Sequence, residues 1–397
     1  MQTQDVVIVA AKRTAIGAFG GSLKDVPPVE LATHVMRAAM AQAQLDPLEV
    51  EHCVLGNVVH TQAEDMYLAR AAALAAGMGD TVPAYTVNRL CGSGLQAVIS
   101  AAQQIALRQC DIAVAGGAES MSRAPYWMPQ ARFGQRMGDA QLIDVMLGAL
   151  RCPIHQCHMG VTAENVAVKY DITRQRQDAH ALLSQKCAAQ AIAHGVFDDQ
   201  IVPLSVKQRR TEVSFERDEY VRADCTLEQL QGMRPAFDPS GSVTAGNASG
   251  INDGAAALVL MSAERARASN TAVIARLVDY SVVGVDPKYM GMGPVPAIEQ
   301  LLKRCGLCVD DIDLFEINEA FAAQALAVAQ QLNIPSERLN PNGSGISLGH
   351  PIGATGAVIS VKALYELTRM QGRYAIVSLC VGGGQGIAAL FERDVIE

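Results

Sequence analysis

One plan occurs twice in this chain, and no other feature restricts the fold as much. In the N-terminal part, the apolar run "DVVIVAA" (5–11) is followed by "HCVLGNVV" (52–59) and "VPAYTV" (82–87). Then come the glycine-rich turn "NRLCGSGLQAV" (88–98), a helix pattern of Leu95, Val98, Ile99, Ala102 and Ile105, and the strand "CDIAVAGGAES" (110–120). The C-terminal part opens with "AVIARLVDYSVVG" (272–284) and continues with "DLFEINEAFAAQALAVAQ" (313–330), a strand running into a helix. It then has its own turn, "NGSGISLGHPIGATG" (342–356), a helix pattern of Val358, Val361, Leu364 and Leu367, and "YAIVSLCVGGGQGIAALFE" (374–392). Both parts run strand, glycine-rich turn with a reactive residue, helix, strand. The next strand begins about 20 residues after Cys91 and about 24 after His350. A duplicated α/β unit is expected. If the two units stack face to face, the helix starts carrying Cys91 and His350 approach one cleft. Residues 121–245 break the plan and read as a long, partly helical excursion, of the kind that serves binding or assembly.

The composition sets limits on function. With 397 residues, half of them apolar, there is material for two or three domain-sized units. Only 5% are aromatic, and abundant alanine and glycine suit helices packed closely on sheets. A net charge of −8 argues against a nucleic-acid or membrane-surface binder, since these present basic faces. An anionic ligand would need a local basic or helix-end site. The start, "MQTQDVVIVAAKRT", lacks a basic leader region, and no apolar run reaches membrane-spanning length. A soluble cytoplasmic protein is expected. Ten cysteines without framework spacing read as reduced thiols.

Four polar turns are candidates for chemistry. Cys91 falls near the first turn of a helix, where unpaired N–H groups and the dipole favour an anion, so its thiol is expected to ionise more easily than a free one. Gly92 and Gly94 leave room at the sulfur. The alternative is a small buried cysteine at a tight turn. His350 precedes Pro351 among Gly349, Gly353 and Gly356, a second candidate helix start where a neutral imidazole is favoured. Alone it reads as a turn-capping histidine; beside Cys91 it would activate a thiolate. Cys380 ends an apolar strand and opens Gly382-Gly383-Gly384, whose N–H groups could stabilise an oxyanion. It is either a buried strand cysteine or a second thiol that exchanges a proton with a carbon acid. Asn318 ends another strand, placed to hold a water or to cap a helix. Cys152, His155, Cys157 and His158 mimic a metal site but lack a second ligand pair at zinc spacing. Cys305 and Cys308 form a C-x-x-C without the strand–helix context of a redox motif.

Taken together, "NRLCGSGLQA", "HMGVTAENVA", "TAGNASGINDGAAA", "NEAFAAQ", "NPNGSGISLGHPIGATG" and "CVGGGQG" resemble the thiolase family, in the family's order and over essentially the whole chain. The nearest likeness is to bacterial acetyl-CoA acetyltransferases and broad-range 3-ketoacyl-CoA thiolases. The resemblance implies two similar βαβαβαββ halves in a five-layered α-β-α-β-α core with an inserted loop domain. It assigns 1–120 to the N-terminal half, completed by 246–271. Residues 121–245 become the loop domain for CoA binding and oligomer contacts, and 272–397 the C-terminal half.

It also implies roles. Cys91 would take the acyl group, His350 would activate it, and Cys380 would move the α-proton. Asn318 would hold a water that shares an oxyanion site with His350. The N–H groups of Cys91 and Gly382 would form the other oxyanion hole. Met159, His158, Arg222, Phe237, Ala245, Ser249, Met290 and Phe321 would bind the acyl-CoA. No permanent cofactor and no metal are implied. CoA thioesters (acetyl-CoA, acyl-CoA, 3-ketoacyl-CoA) would be substrates, and the protein would be a homotetramer, a dimer of dimers, with residues 122–134 as a contact loop. "NGSGISLGHP", where familiar bacterial relatives often read "NGGAIALGHP", joins Met159 and Met290 in suggesting acyl groups longer than acetyl. Two rivals remain at this point: a ketoacyl-synthase-like condensing enzyme, which would pair its cysteine with two histidines or with His and Asn, and a CoA- or lipid-binding relative without catalysis.

Overall fold

A computed structural model describes residues 4–208 and 210–393. Its main sheet repeats one strand order. In the first half the order is Ala84–Val87, His52–Gly56, Ile112–Ser120, Asn252–Ser262, Val6–Arg13. The first three strands are parallel and the last two join antiparallel. The second half runs Leu314–Ile317, Tyr374–Val381, Gln385–Glu392, Ala275–Gly284, with a parallel pair followed by antiparallel ones. Its outermost position is reduced to a parallel bridge between Phe315 and Leu339. The halves join where Val6, Val7 and Ile8 pair antiparallel with Leu277, Arg276 and Ala275. Asn252–Ser262 therefore returns from the excursion to lie between Val6–Arg13 and Ile112–Ser120.

Burial follows from the layers. Every residue of Ile112–Ser120 and Asn252–Ser262 is buried, because helices cover both faces of the sheet. Helices Ser93–Ala106 and Thr355–Arg369 are buried nearly all round, as a helix between two sheets must be, and the buried Lys362 of the second is paired with Glu316 at 2.9 Å. They form the middle layer with Val54, Ala113, Val377 and Leu379 from the two half-sheets. Pro28–Gln42 buries one stripe (Leu31, Val35, Met36, Ala39, Met40) against the outer face of the first half. Pro294–Cys305 and Ala322–Leu332 do the same for the second. This is the five-layered α-β-α-β-α core of the thiolase fold.

The two middle helices touch backbone to backbone at their starts. A Cβ on Gly94 would lie 2.6 Å from the Ala357 nitrogen, and one on Gly356 would lie 2.3 Å from the Leu95 nitrogen. This contact sets the turn before one helix against the turn before the other. The excursion carries helices Met159–Lys169 and Arg174–Ala193 and several short hairpins. It is tied to the first strand by a buried, two-pronged ion pair from Arg13 to Asp218, at 2.7 and 3.0 Å. No described helix is long and apolar enough to cross a membrane.

Candidate active site

Strand Ala84–Val87 delivers the chain to Cys91 through a sharp turn. Asn88 Oδ1 accepts the Leu90 N–H at 2.9 Å, and Leu90 is left-handed at φ +45°. Helix Ser93–Ala106 begins two residues after Cys91, with Gly92 at its cap, so the expected helix-start position is found. The expected easy ionisation is not. Burial pushes the Cys91 thiol up to about 11, and the charge of Glu119 adds to the effect. The N–H groups of Gly382 and of Cys91 itself, both at the sulfur, pull the other way and lose.

His350 is not at a helix start. Its helix begins at Thr355, because Pro351 to Ala354 form a separate turn that first brings Gly353 against the other half. Gly349 must be glycine: its φ is +110°, and a Cβ would sit 2.5 Å from Asn252 Cγ. The His350 N–H donates to Asn252 Oδ1 at 2.9 Å. Thr355 donates its hydroxyl to the Pro351 carbonyl at 2.9 Å. Its oxygen therefore accepts from His350 Nδ1–H at 2.6 Å, which leaves Nε2 unprotonated, with only a long contact to Asn318 Nδ2 at 3.5 Å. Burial lowers His350 to about 4, so the imidazole is neutral as expected, but for a different reason than a helix end.

Asn318 is fully buried, with Nδ2 3.5 Å from His350 Nε2 and no hydrogen bond to its Oδ1. It does not cap a helix; Phe321 holds that position before Ala322–Leu332. Cys380 lies near the end of strand Tyr374–Val381, opposite Gly386. Burial raises its thiol, and the neighbouring Cys91 raises it further. Gly383 and Gly384, at φ +81° and +86°, turn this strand into Gln385–Glu392. A Cβ on Gly382 would meet the ends of two flexible side chains, Leu90 Cδ1 at 2.9 Å and Met159 Cε at 3.0 Å.

All of these groups but Asn318 line one cavity of about 450 Å³. Cys91, His350, Cys380 and Gly382 form its reactive wall, and His158, Met159, Arg222, Phe237, Ala245, Ser249, Met290 and Phe321 also face it. Of the sequence-predicted set only Asn318 is absent from the lining; it sits behind His350. His158 caps helix Met159–Lys169, its Nδ1 accepting the Gly160 N–H at 3.0 Å, so Nε2 carries the proton. Its ring stacks on Phe237 at 4.6 Å, and Phe237 meets Phe321 edge-on at 6.0 Å. The small-residue stretch lies along the backbone of the Asn318 turn: Ser249 N–H donates to the Ala320 carbonyl at 2.9 Å and Ala322 N–H to the Asn247 carbonyl at 2.8 Å. Leu90, Met121, Leu147, Leu150 and Ile352 also line the cavity, and sequence reasoning did not single them out. Scattered leucines carry no signal of their own; only the adjacency of Leu90 to Cys91 could have marked one.

The other cysteine motifs lead elsewhere. Cys152 and Cys157 face each other across a short hairpin, and Cys305 ends a helix whose C-cap is Gly306. Among the described residues no three His, Cys, Asp or Glu side chains converge as metal ligands. The cavity thus offers a thiol, a neutral imidazole with an unprotonated Nε2, a second thiol and two N–H donors at the sulfur.

Known families and solved structures match nearly the whole chain. Residues 6–264 match "Thiolase, N-terminal domain" and 271–393 match "Thiolase, C-terminal domain". The chain is 59% identical to the beta-ketothiolase BktB of Cupriavidus necator, over 98% of this chain and 100% of that protein. The crystal structure of the Bacillus anthracis acetyl-CoA acetyltransferase superposes with a TM-score of 0.97 at 51% identity, covering 99% of this chain and 100% of that one. A human mitochondrial 3-ketoacyl-CoA thiolase solved in complex with CoA gives 0.96 at 43%, covering 99% and 98%.

Proposed function

The chain belongs to the thiolase family, and on that premise we propose that it passes acyl groups between carbon and CoA sulfur through an acyl-Cys91 thioester. The observation that carries this reading is the convergence of two thiols and a neutral imidazole on one largely apolar cavity. In the thiolysis direction, Cys91 gives its proton to His350 Nε2 and attacks the 3-keto carbon. The N–H groups of Cys91 and Gly382 receive the oxyanion. The C2–C3 bond breaks, and the enolate of acetyl-CoA, held at His350 and the water of Asn318, takes its proton from Cys380. Incoming CoA gives its thiol proton to Cys380 and attacks acyl-Cys91. The Cys91 sulfur then leaves and recovers its proton from His350. Condensation is the reverse. A thiolate carrier keeps the acyl group as a thioester, which a serine would not.

His158, Met159, Phe237, Ala245, Ser249, Met290 and Phe321 hold the pantetheine and acyl parts, with Arg222 at the adenosine end. Methionines at the acyl end, with the Leu147 and Leu150 wall, suit acyl groups longer than acetyl. The reading assigns 1–120 with 246–271 and 272–397 to the two catalytic halves, and 121–245 to CoA binding and assembly. It includes a cytoplasmic homotetramer without a permanent cofactor. The test is thiolysis of 3-ketoacyl-CoAs of rising chain length. Cleavage extending past acetoacetyl-CoA is expected; activity on acetoacetyl-CoA alone overturns the chain-length reading, and none at all overturns the assignment.

A further inference from the structure

Cys91 and His350 belong to different halves of the molecule, so something must fix one turn relative to the other. Glu119 does this with a single carboxylate. It is the last residue but one of strand Ile112–Ser120, is fully buried and, among the described residues, forms no ion pair with a cation. Four N–H groups converge on it. Asn57 Nδ2 and Val59 N donate to Oε1 at 3.0 and 3.1 Å, and Val58 N and Gly353 N donate to Oε2 at 3.0 and 2.8 Å. Residues 57–59 follow strand His52–Gly56, the neighbour of the strand that leads to Cys91. Gly353 lies in the turn between His350 and Thr355, the residue that holds His350 Nδ1. The fit is specific to glycine there: a Cβ on Gly353 would lie 2.4 Å from Glu119 Oε2.

We infer that Glu119 is a positioning residue for the proton transfer, locking the His350 turn of one half to the Cys91 scaffold of the other. Burial pushes the Glu119 carboxyl up to about 8, while the N–H groups of Val59, Val58 and Gly353 pull it down. The geometry carries the inference: all four partners are donors, so an amide NH2 in place of either oxygen would face N–H groups. A misplacement of the base by a fraction of an ångström is felt in the rate, not in CoA binding, because Glu119 does not line the cavity.

The inference rests on the thiolase reading above, and the experiment separates the two. Wild type, Glu119→Gln, His350→Ala and the double variant are compared in acetoacetyl-CoA thiolysis and in single-turnover acylation of Cys91. Glu119→Gln should lower kcat by roughly 10- to 100-fold, with KM for both substrates within about twofold. In the His350→Ala background it should cost less than about threefold more, because Glu119 acts through His350. Should Glu119→Gln not fold, Asn57→Ser removes one of the four donors without touching the charge, and should show a smaller loss with the same non-additivity. A full, multiplicative loss in the His350→Ala background, or a fall in thermal stability with kcat intact, overturns the inference. Failure of wild type to cleave acetoacetyl-CoA would instead overturn the thiolase reading.

Discussion

The proton that must move is held between two groups that both prefer to be neutral. Burial raises the Cys91 thiol and lowers the His350 imidazole, so thiol and free base face each other at rest, and charge separates only when substrate arrives. The sequence showed which residues these are but not their ionisation, because desolvation depends on the whole surrounding wall. A stability test follows for His350. Its folded value of about 4 lies below the 6.5 of the unfolded chain, so between those values the unfolded chain binds a proton that the folded chain refuses. The contribution is intact above about pH 6.5 and is lost as pH falls; by pH 5 the loss is on the order of 2 kcal/mol. Urea unfolding at pH 7.5 and 5 should therefore show wild type losing about that much more than His350→Asn. Equal losses would mean the ring is not desolvated. Cys380 is the second residue to test. Cys380→Ser should leave acylation of Cys91 by acetyl-CoA visible in peptide mass spectra. Exchange of the acetyl-CoA methyl protons with solvent should drop by roughly 100-fold or more, the usual scale for losing a general base. A joint fall of both would assign Cys380 to activating Cys91 instead.

Between elements, the decisive contact is the crossing of helices Ser93–Ala106 and Thr355–Arg369. The repeated strand, turn, helix and strand were legible because most of the strands are apolar runs and the turns before the two middle helices are marked by glycines. The helix expected to open at Pro351 begins four residues later, at Thr355, since Pro351 and its glycines signal a turn and a helix N-terminus equally well. What no pattern revealed is why glycine recurs at 94 and 356: each faces the backbone of the other helix. Gly356→Ala must open that crossing, at a cost near or above the ~3 kcal/mol upper end of ordinary overpacking. It should also slow acylation of Cys91, because the two turns move apart. Gly284→Ala, where a Cβ meets nothing within 4 Å, should change stability by less than about 0.5 kcal/mol. Thermal unfolding of both variants decides; equal stability would show that the crossing relaxes freely.

At the scale of the whole molecule, the two halves account for the core and the site but leave one surface unexplained. The excursion carries Tyr126, Trp127, Phe133, Met137 and Leu142 exposed in the single chain, with Trp127 at 59% and Phe133 at 86%. A monomer rarely presents so many large apolar side chains within one short segment, and such surface fits the subunit contact proposed for it above. The sequence signalled this stretch only as a departure from the repeat, because an interface segment needs no periodicity of its own. If residues 122–134 bury themselves between subunits, Trp127→Glu would force a charge into a desolvated contact. The variant should then elute as a smaller species in size-exclusion chromatography with light scattering. Trp127 does not line the Cys91 cavity, so acylation of Cys91 by acetyl-CoA should persist in that smaller species. Because it is the only tryptophan, its fluorescence gives a second readout on the unmodified protein. Iodide should quench it weakly in the assembled protein and strongly on dilution to subunits. An unchanged elution volume for Trp127→Glu, together with strong quenching at every wild-type concentration, would leave this segment in solvent and move the assembly contact elsewhere.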